Sequence, residues 1–321
     1  MVMEWKEKYI KLMYPSNMNN RREKEARELK RKNIPVALYK YRAVNLNSIR
    51  GLRRNEVWCN SADHFNDPYE CALMIGDYAE ESLKALMIKQ VKEKGVGKLS
   101  SIVISNLEKM ELNEICMWFA KLVEGGTSLS LHEHNLIYAI TKAEYDIKTK
   151  NDLEKIVTQI KEKTKISCFS EVNDSILMWS HYADNHKGFC IEYNFNEIDE
   201  DLNLINALHP AIYSDEIINV GKHLKKTSKQ PDEFNQIIEE YAAIVKSKEW
   251  EYEKEWRIVF CKDEGGGFNY RGLKPKAIYL GSRISKDDKS EILEIAKEKD
   301  INVFQMKTER NNFKLTPKLL S

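Results

Sequence analysis

This 321-residue chain lacks several features, and each absence narrows what it can be. Its six cysteines, Cys59, Cys71, Cys116, Cys168, Cys190 and Cys261, lie far apart and form no CxxC pair. That spacing argues against a zinc knuckle or a disulfide frame and for a reducing, cytoplasmic setting. There is no excess of one charge: 51 Lys and Arg meet 50 Asp and Glu, a net of +1. Any nucleic-acid contact would therefore need a local basic patch. No run reaches the roughly 18 apolar residues of a spanning helix, and the charged opening MVMEWKEKYIKLMYPS does not read as a secretory signal. The motifs GxxxxGKS/T, HExxH and GxSxG are missing. Gly265, Gly266 and Gly267 make a turn without the strand and helix of a dinucleotide fingerprint.

What remains is a globular composition, 42% hydrophobic and 31% charged, long enough to bury a substantial core. Residues 1–34 read as a charged helical segment, and 35–321 as a single α+β domain with a helical insertion over about 71–163. Within the first segment, 21–32 carries seven basic and three acidic residues. That pattern suits a solvated, ion-paired helix, with a phosphate-contacting arm as the alternative. Pro35 ends it, and the spacing predicts a strand over 36–42 with Leu38, Lys40 and Arg42 on one face and Tyr39 and Tyr41 on the other. A short helix over 45–52, capped by Asn45 and closed near Gly51, precedes a strand over 56–60. Asn66, Asp67 and Pro68 form a turn. Helices are expected over 82–94 and 102–122, separated by glycines. Further strands are expected over 166–169, 188–195, 209–213, 255–261, 277–280, 302–306 and 313–316, with helices over 232–248 and 286–299. The order does not alternate as in a doubly wound sheet, so the fold class is α+β with a mixed, mainly antiparallel sheet closed by both ends of the chain.

Two stretches concentrate chemistry. Trp179, Ser180, His181 and Tyr182 are consecutive, and no helical or strand period buries all four on one face. Trp179 reads first as packing; His181 and Tyr182 combine a flat ring with a polar tip, suited to holding a planar ring. The second stretch places Glu249, Glu251, Glu253 and Glu255 at one parity, so an extended chain would crowd them on one face. Glu249 and Glu251 suit a solvated lead-in to a strand. Glu255 directly precedes the apolar run Trp256 to Phe260, where a carboxylate needs a partner or a role. Arg42, at the end of an aromatic strand, could fork onto a phosphate or pair with an acid such as Glu255. Asp67 and Glu70 could pair cations, bind ribose hydroxyls or hold the turn. His181 and His186 are five apart and do not form a metal pair by themselves, and no metal is expected.

The ordered blocks LYKYR, FNDPYE, ISCFSE, MWSHYADNHKGFCIEY and KEWEYEKEWRIVF, spanning 38–260, resemble a family of bacterial and phage proteins catalogued as a domain of unknown function. A more remote similarity is to the DarT-like ADP-ribosyltransferases, which modify DNA. LYKYRAVNLNSIRGLRRNEVWC is similar to their opening strand, asparagine-bearing helix and second strand. Glu255-Trp256-Arg257-Ile258-Val259 is similar to the late strand that their catalytic glutamate opens. The resemblance implies a split mixed sheet and transfer of ADP-ribose from NAD to a nucleic-acid or protein acceptor, or to water, in a toxin or phage-defence setting. It implies Glu255 as the catalytic residue, holding the ribose 2′-hydroxyl and the developing oxocarbenium charge. Tyr39, Tyr41, Arg42, Asn66, Asp67, Trp179, His181 and Tyr182 would be the cofactor-binding set. Arg42 would take the pyrophosphate or a ribose, and His181 or Tyr182 the nicotinamide. Two other readings stay open. One is a nuclease using Asp67, Glu70, His181, Glu192 and Glu255 around a divalent metal. The other is a non-catalytic module that binds nucleic acid or protein through the basic helix and the aromatics.

Overall fold

The computed structural model describes residues 2–74, 101–123, 150–197, 202–220, 238–262 and 266–320, with a few isolated positions between 75 and 150. The chain divides into two compact units. The larger consists of Met1–Ala72, Gln159–Ile217 and Asn235–Ser321, and the smaller of Leu73–Thr158 and Ile218–Phe234. The helix expected over 82–94, the glycines around it and the start of the helix expected over 232–248 lie largely outside the described residues.

In chain order the larger unit opens with helices α1 (Val2–Met13) and α2 (Glu23–Arg31), then β1 (Leu38–Arg42), α3 (Leu46–Arg54) and β2 (Glu56–Ser61). In the smaller unit, β3 (Leu73–Met74) precedes α4 (Ser101–Lys109) and α5 (Leu112–Val123). Its core joins Ile88, Leu107 and Ile115, with a neighbouring cluster of Leu83, Leu112 and Cys116. The larger unit resumes with β4 (Thr164–Ser170), α6 (Ile176–Tyr182), β5 (Phe189–Tyr193), α7 (Leu202–Ala207), β6 (Leu208–Pro210) and β7 (Ile212–Ser214). After β8 (Ile218–Asn219), the parallel partner of β3, come α8 (Ile238–Ile244), β9 (Val245–Ser247) and β10 (Glu255–Cys261). Strands β11 (Phe268–Arg271) and β12 (Ala277–Leu280), helix α9 (Lys286–Glu298), and strands β13 (Asn302–Thr308) and β14 (Leu315–Leu319) complete it.

Ten strands of the larger unit form one mixed sheet in the order β11-β2-β4-β1-β5-β12-β13-β14, with β10 pairing β4 and β6. Every pairing in it is antiparallel except β12 with β13. The fold class is α+β, built on this mainly antiparallel sheet.

Strand β4 is where the sheet forks. One of its edges is taken over the whole length by β10, from Glu255↔Ser170 to Cys261↔Thr164. The other edge is shared between β2, at Lys165 and Ile166, and β1, at Ser170 alone. Between those attachments Ser167, Cys168 and Phe169 face no strand on this edge among the described residues. The Lys40 amine fills part of the gap, donating to the Ser167 hydroxyl at 2.8 Å and the Cys168 carbonyl at 3.0 Å. A carbonyl left without a ladder partner needs such a donor.

The two faces of the sheet carry separate cores, as strand alternation requires. Leu38, Ile191, Ile278 and Leu280 point to the side covered by α3 and α9, through Ile49, Leu52, Ile292 and Ile295. Tyr41, Cys190 and Tyr279 point to the other side and meet Met178 and Trp179 of α6. Each fully buried large apolar side chain contributes about 1.5–3 kcal/mol to that packing.

Several boundaries differ from the pattern-based expectation. Helix α3 runs past Gly51 to Arg54 and is closed by Asn55 in the left-handed conformation, φ 52°. The strand expected over 209–213 is two short strands with different partners, β10 and β9, broken at Ala211. The helix expected to reach 248 stops at Ile244, because Val245–Ser247 pairs in parallel with Ile212–Ser214. Lys248–Glu253 is a 3-10 helix ended by Lys254 at φ 46°, so the four acids do not share one extended face. Phe313 precedes β14 and is fully exposed.

Helix α2 is largely exposed or half-buried and ion-paired, as its charge pattern predicts, yet α1 and α2 also dock on the rest of the larger unit. Trp5 stacks on Trp256 at 6.0 Å, Tyr9 bonds His209 Nδ1 at 2.8 Å, and the buried Lys30 donates to the carbonyls of Ile205 and Asn206. Burial and then Arg27 push the Lys30 amine down to about 7. Arg21 and Arg27 are paired with Glu23, and Arg22 with Glu25.

Candidate functional site

At the fork the sheet encloses a cavity of about 370 Å³. Its walls come from β1 (Tyr39 to Arg42), β2 (Trp58 and Asn60), the free edge of β4, the loop carrying His64, Phe65 and Asn66, and Met178 and Tyr182 of α6. Lys246 and Glu255 complete it. Consecutive β1 residues, which point to opposite faces, all reach this cavity because it wraps around the strand edge that β4 leaves unpaired.

Glu255 is 5% exposed and opens β10. Its Oε2 accepts from Arg257 Nε at 3.0 Å and from Lys246 at 3.3 Å, with Arg257 Nη2 at 2.9 Å. Its backbone N–H donates to the Tyr213 hydroxyl at 2.8 Å. All of these cationic contacts fall on one oxygen. Burial by itself would push the Glu255 carboxyl up, but Arg257 and Lys246 outweigh it and hold it down to about 2. Arg257, fully buried, also forks onto Glu70 at 2.5 and 3.1 Å and donates to the Ala243 carbonyl at 2.6 Å. This guanidinium spends its donors on two carboxylates and a carbonyl, the arrangement a buried charge requires.

Glu253 forms the other half of the cluster. It is 1% exposed, accepts from Lys246 at 2.5 Å on Oε2 and from the Tyr182 hydroxyl at 2.6 Å on Oε1. Burial, then the Glu255 charge, raises its carboxyl. Lys246 thus sits between two carboxylates, and they keep its amine above its ordinary value against the effect of burial. Lys40, on the opposite wall, is pushed down to about 8 by burial and then by Arg42.

The structure brings together Glu255, Tyr39, Tyr41, Arg42, Asn66 and Tyr182 from the sequence-derived set. Three others do not line the cavity. Trp179 is fully buried, with its indole N–H on the Asn173 carbonyl at 2.7 Å and its ring edge-on to Tyr41. His181 follows on the exposed side of α6, its ring against Tyr182. Asp67 is buried and takes the Tyr69 amide at 2.9 Å, which holds the turn. Arg42 pairs with no carboxylate among the described residues, Glu255 included, because Arg257 and Lys246 occupy the latter.

Two of the acids considered for a divalent ion are already engaged by other side chains. Glu192 accepts from the Tyr279 hydroxyl at 2.6 Å, and Glu70 is bound by Arg257. Among the described residues no group of three or more His, Cys, Asp and Glu could hold a metal ion. No helix among them is long and apolar enough to cross a membrane. All six cysteines are free.

Lys246, Glu253 and Arg257 belong to the cluster but are not among the site residues expected from the sequence. Arg257 had a signal: it shares strand parity with Glu255 inside an apolar run, so the two side chains had to meet on one buried face. Lys246 had none, since its place depends on the short β7–β9 pairing.

No curated protein and no solved structure matches the chain significantly. Residues 178–258, which carry Tyr182, Lys246, Glu253, Glu255 and Arg257, match the family described as "Protein of unknown function (DUF2971)".

Proposed function

We propose that this cavity takes NAD+ and that the protein is an ADP-ribosyltransferase-like enzyme, passing ADP-ribose to a nucleic-acid or protein acceptor or to water. The observation that carries the reading is Glu255: an ionised, nearly buried carboxylate anchored through one oxygen on the wall of a 370 Å³ cavity. Its Oε1 accepts the ribose 2′-hydroxyl. As the bond from ribose C1′ to nicotinamide nitrogen breaks, its electron pair leaves with nicotinamide and positive charge develops on the ribose. A fixed negative charge lowers that barrier by favouring the transition state over the ground state. The acceptor's lone pair then closes on C1′, and its proton passes to solvent or a base.

Tyr39 and Tyr182 supply flat faces for the nicotinamide ring, and Arg42 supplies the phosphates with a cation that has no carboxylate partner among the described residues. The similarity to DarT-like enzymes and a defence or toxin setting belong to the same reading. The test is release of nicotinamide from NAD+, followed by chromatography. Glu255→Gln should lower the rate on the order of 10²–10³-fold while the circular dichroism stays unchanged. Release at the wild-type rate by this variant would sink the proposal.

A further inference from the structure

A second cavity, of about 280 Å³, lies between α3 and strands β1 and β2, sharing Lys40, Arg42 and Trp58 with the first. Its charge is unbalanced. Lys40, Arg42 and Arg50 contribute three cations, none of which has a carboxylate partner among the described residues. The one carboxylate on the wall among the described residues, Glu56, is already held by Arg271 at 2.9 Å. The Arg42 side chain is half-buried, its guanidinium has no hydrogen-bond partner among the described residues, and burial lowers its pKa. Desolvated guanidinium groups are ordinarily paired, so an unpaired one facing a cavity marks the place of an anion from outside the chain.

Two further features agree. The first turn of α3 lines the cavity and contains no acidic residue. Its capping box uses the Asn45 and Ser48 amides and leaves those of Leu46 and Asn47 without a partner among the described residues. Trp58, 39% exposed, presents its indole on the shared wall. Gly267 makes room for that ring, since a Cβ there would fall 2.3 Å from it. Cations beside an open aromatic face suit a phosphate with a base or pyridine ring next to it.

We infer that this second cavity binds the phosphate group of a nucleotide, held by Arg42 and Arg50 with the Trp58 ring flanking it. The chemistry is shared by the pyrophosphate of a dinucleotide and the phosphate of a nucleic-acid acceptor. The test is calorimetric titration of the full chain with inorganic pyrophosphate. Saturable binding is expected, weakened about tenfold or more by Arg42→Gln and by Arg50→Gln. No saturable binding by the wild type, or equal binding by both variants, overturns the inference. If Arg42→Gln fails to fold, Arg50→Gln, altered at an exposed side chain, decides it. Competition with NAD+ or with a short single-stranded oligonucleotide then names the source of the phosphate. Nicotinamide release plays no part in this measurement, so failure here is separable from failure of the transferase reading.

Discussion

Tyr39 and Glu255, from the first and a late strand of the sheet, face the same residue, Ser170, across opposite edges of β4. That shared register places them level with one another, about 10 Å apart at two strand spacings. Everything proposed for the cavity depends on this convergence, because the edge of β4 below Ser170 is free only where β1 and β2 part.

Arg257 should be the most sensitive position in the fold. Arg257→Met leaves Glu70 and Glu255 buried and unpaired on that side, which costs about 3–5 kcal/mol. Urea denaturation would read it as a lower midpoint with an unchanged slope. A midpoint equal to wild type would show that the cluster is not buried as described.

Stability should fall in acid in a defined window. The folded Glu255 carboxyl lies at about 2, below its ordinary value of 4.5. A group depressed in this way contributes stability above the unfolded value and loses it as pH falls through the folded one. The midpoint should therefore drop as pH goes from 4.5 towards about 2, and Glu255→Gln should flatten that part of the curve. Identical acid profiles for the two proteins would contradict this assignment.

Pyrophosphate affinity should weaken as pH rises through about 8, where Lys40 loses its proton. The sign is that of a cation leaving an anion site. The groups facing Lys40 are Arg42 on its own strand, Cys59 on β2, Cys168 on β4 and Glu255 on β10. Burial lifts the two thiols, Cys59 to about 11 and Cys168 well above its ordinary range, and Glu255 stays ionised, so none titrates near 8. Calorimetry across that range should show the loss in wild type and little of it in Lys40→Met.

Gly188→Ala tests the seat of Arg42. A Cβ at Gly188 would lie 2.1 Å from the Arg42 carbonyl and 3.0 Å from Ala183 backbone atoms. Backbone cannot yield as a side-chain tip does, so the substitution should cost about 3 kcal/mol or more. Thermal unfolding reads it directly, and a variant as stable as wild type would place β5 further from β1.

Local chemistry was legible without the fold. Asn45 capping α3 and the turn at Asp67 rest on interactions among near neighbours in the chain, and the apolar run after Glu255 carries the strand pattern in its own residues. The placing of Glu255 in a buried setting was legible too, because an acid at the head of an apolar strand has few other places to go. The surroundings of that acid were not legible. Lys246, Glu253, Tyr182 and Glu70 reach it through a parallel two-strand pairing, a left-handed Lys254 and a distant loop, none of which leaves a period in the residues. Residue type favoured packing for Trp179 and a ring-holding role for Tyr182, but the polar and apolar pattern by itself fixed neither place. Both carry flat rings on one short helix, and only packing against Tyr41 on one side and the open cavity on the other separates a core residue from a lining one. Sequence determined most of the longer strands and the burial of Glu255, but not the short strands β3, β8 and β9 or the burial of Glu253. Tertiary structure decided which cations remain unpaired, because that depends on long-range competition for a few carboxylates.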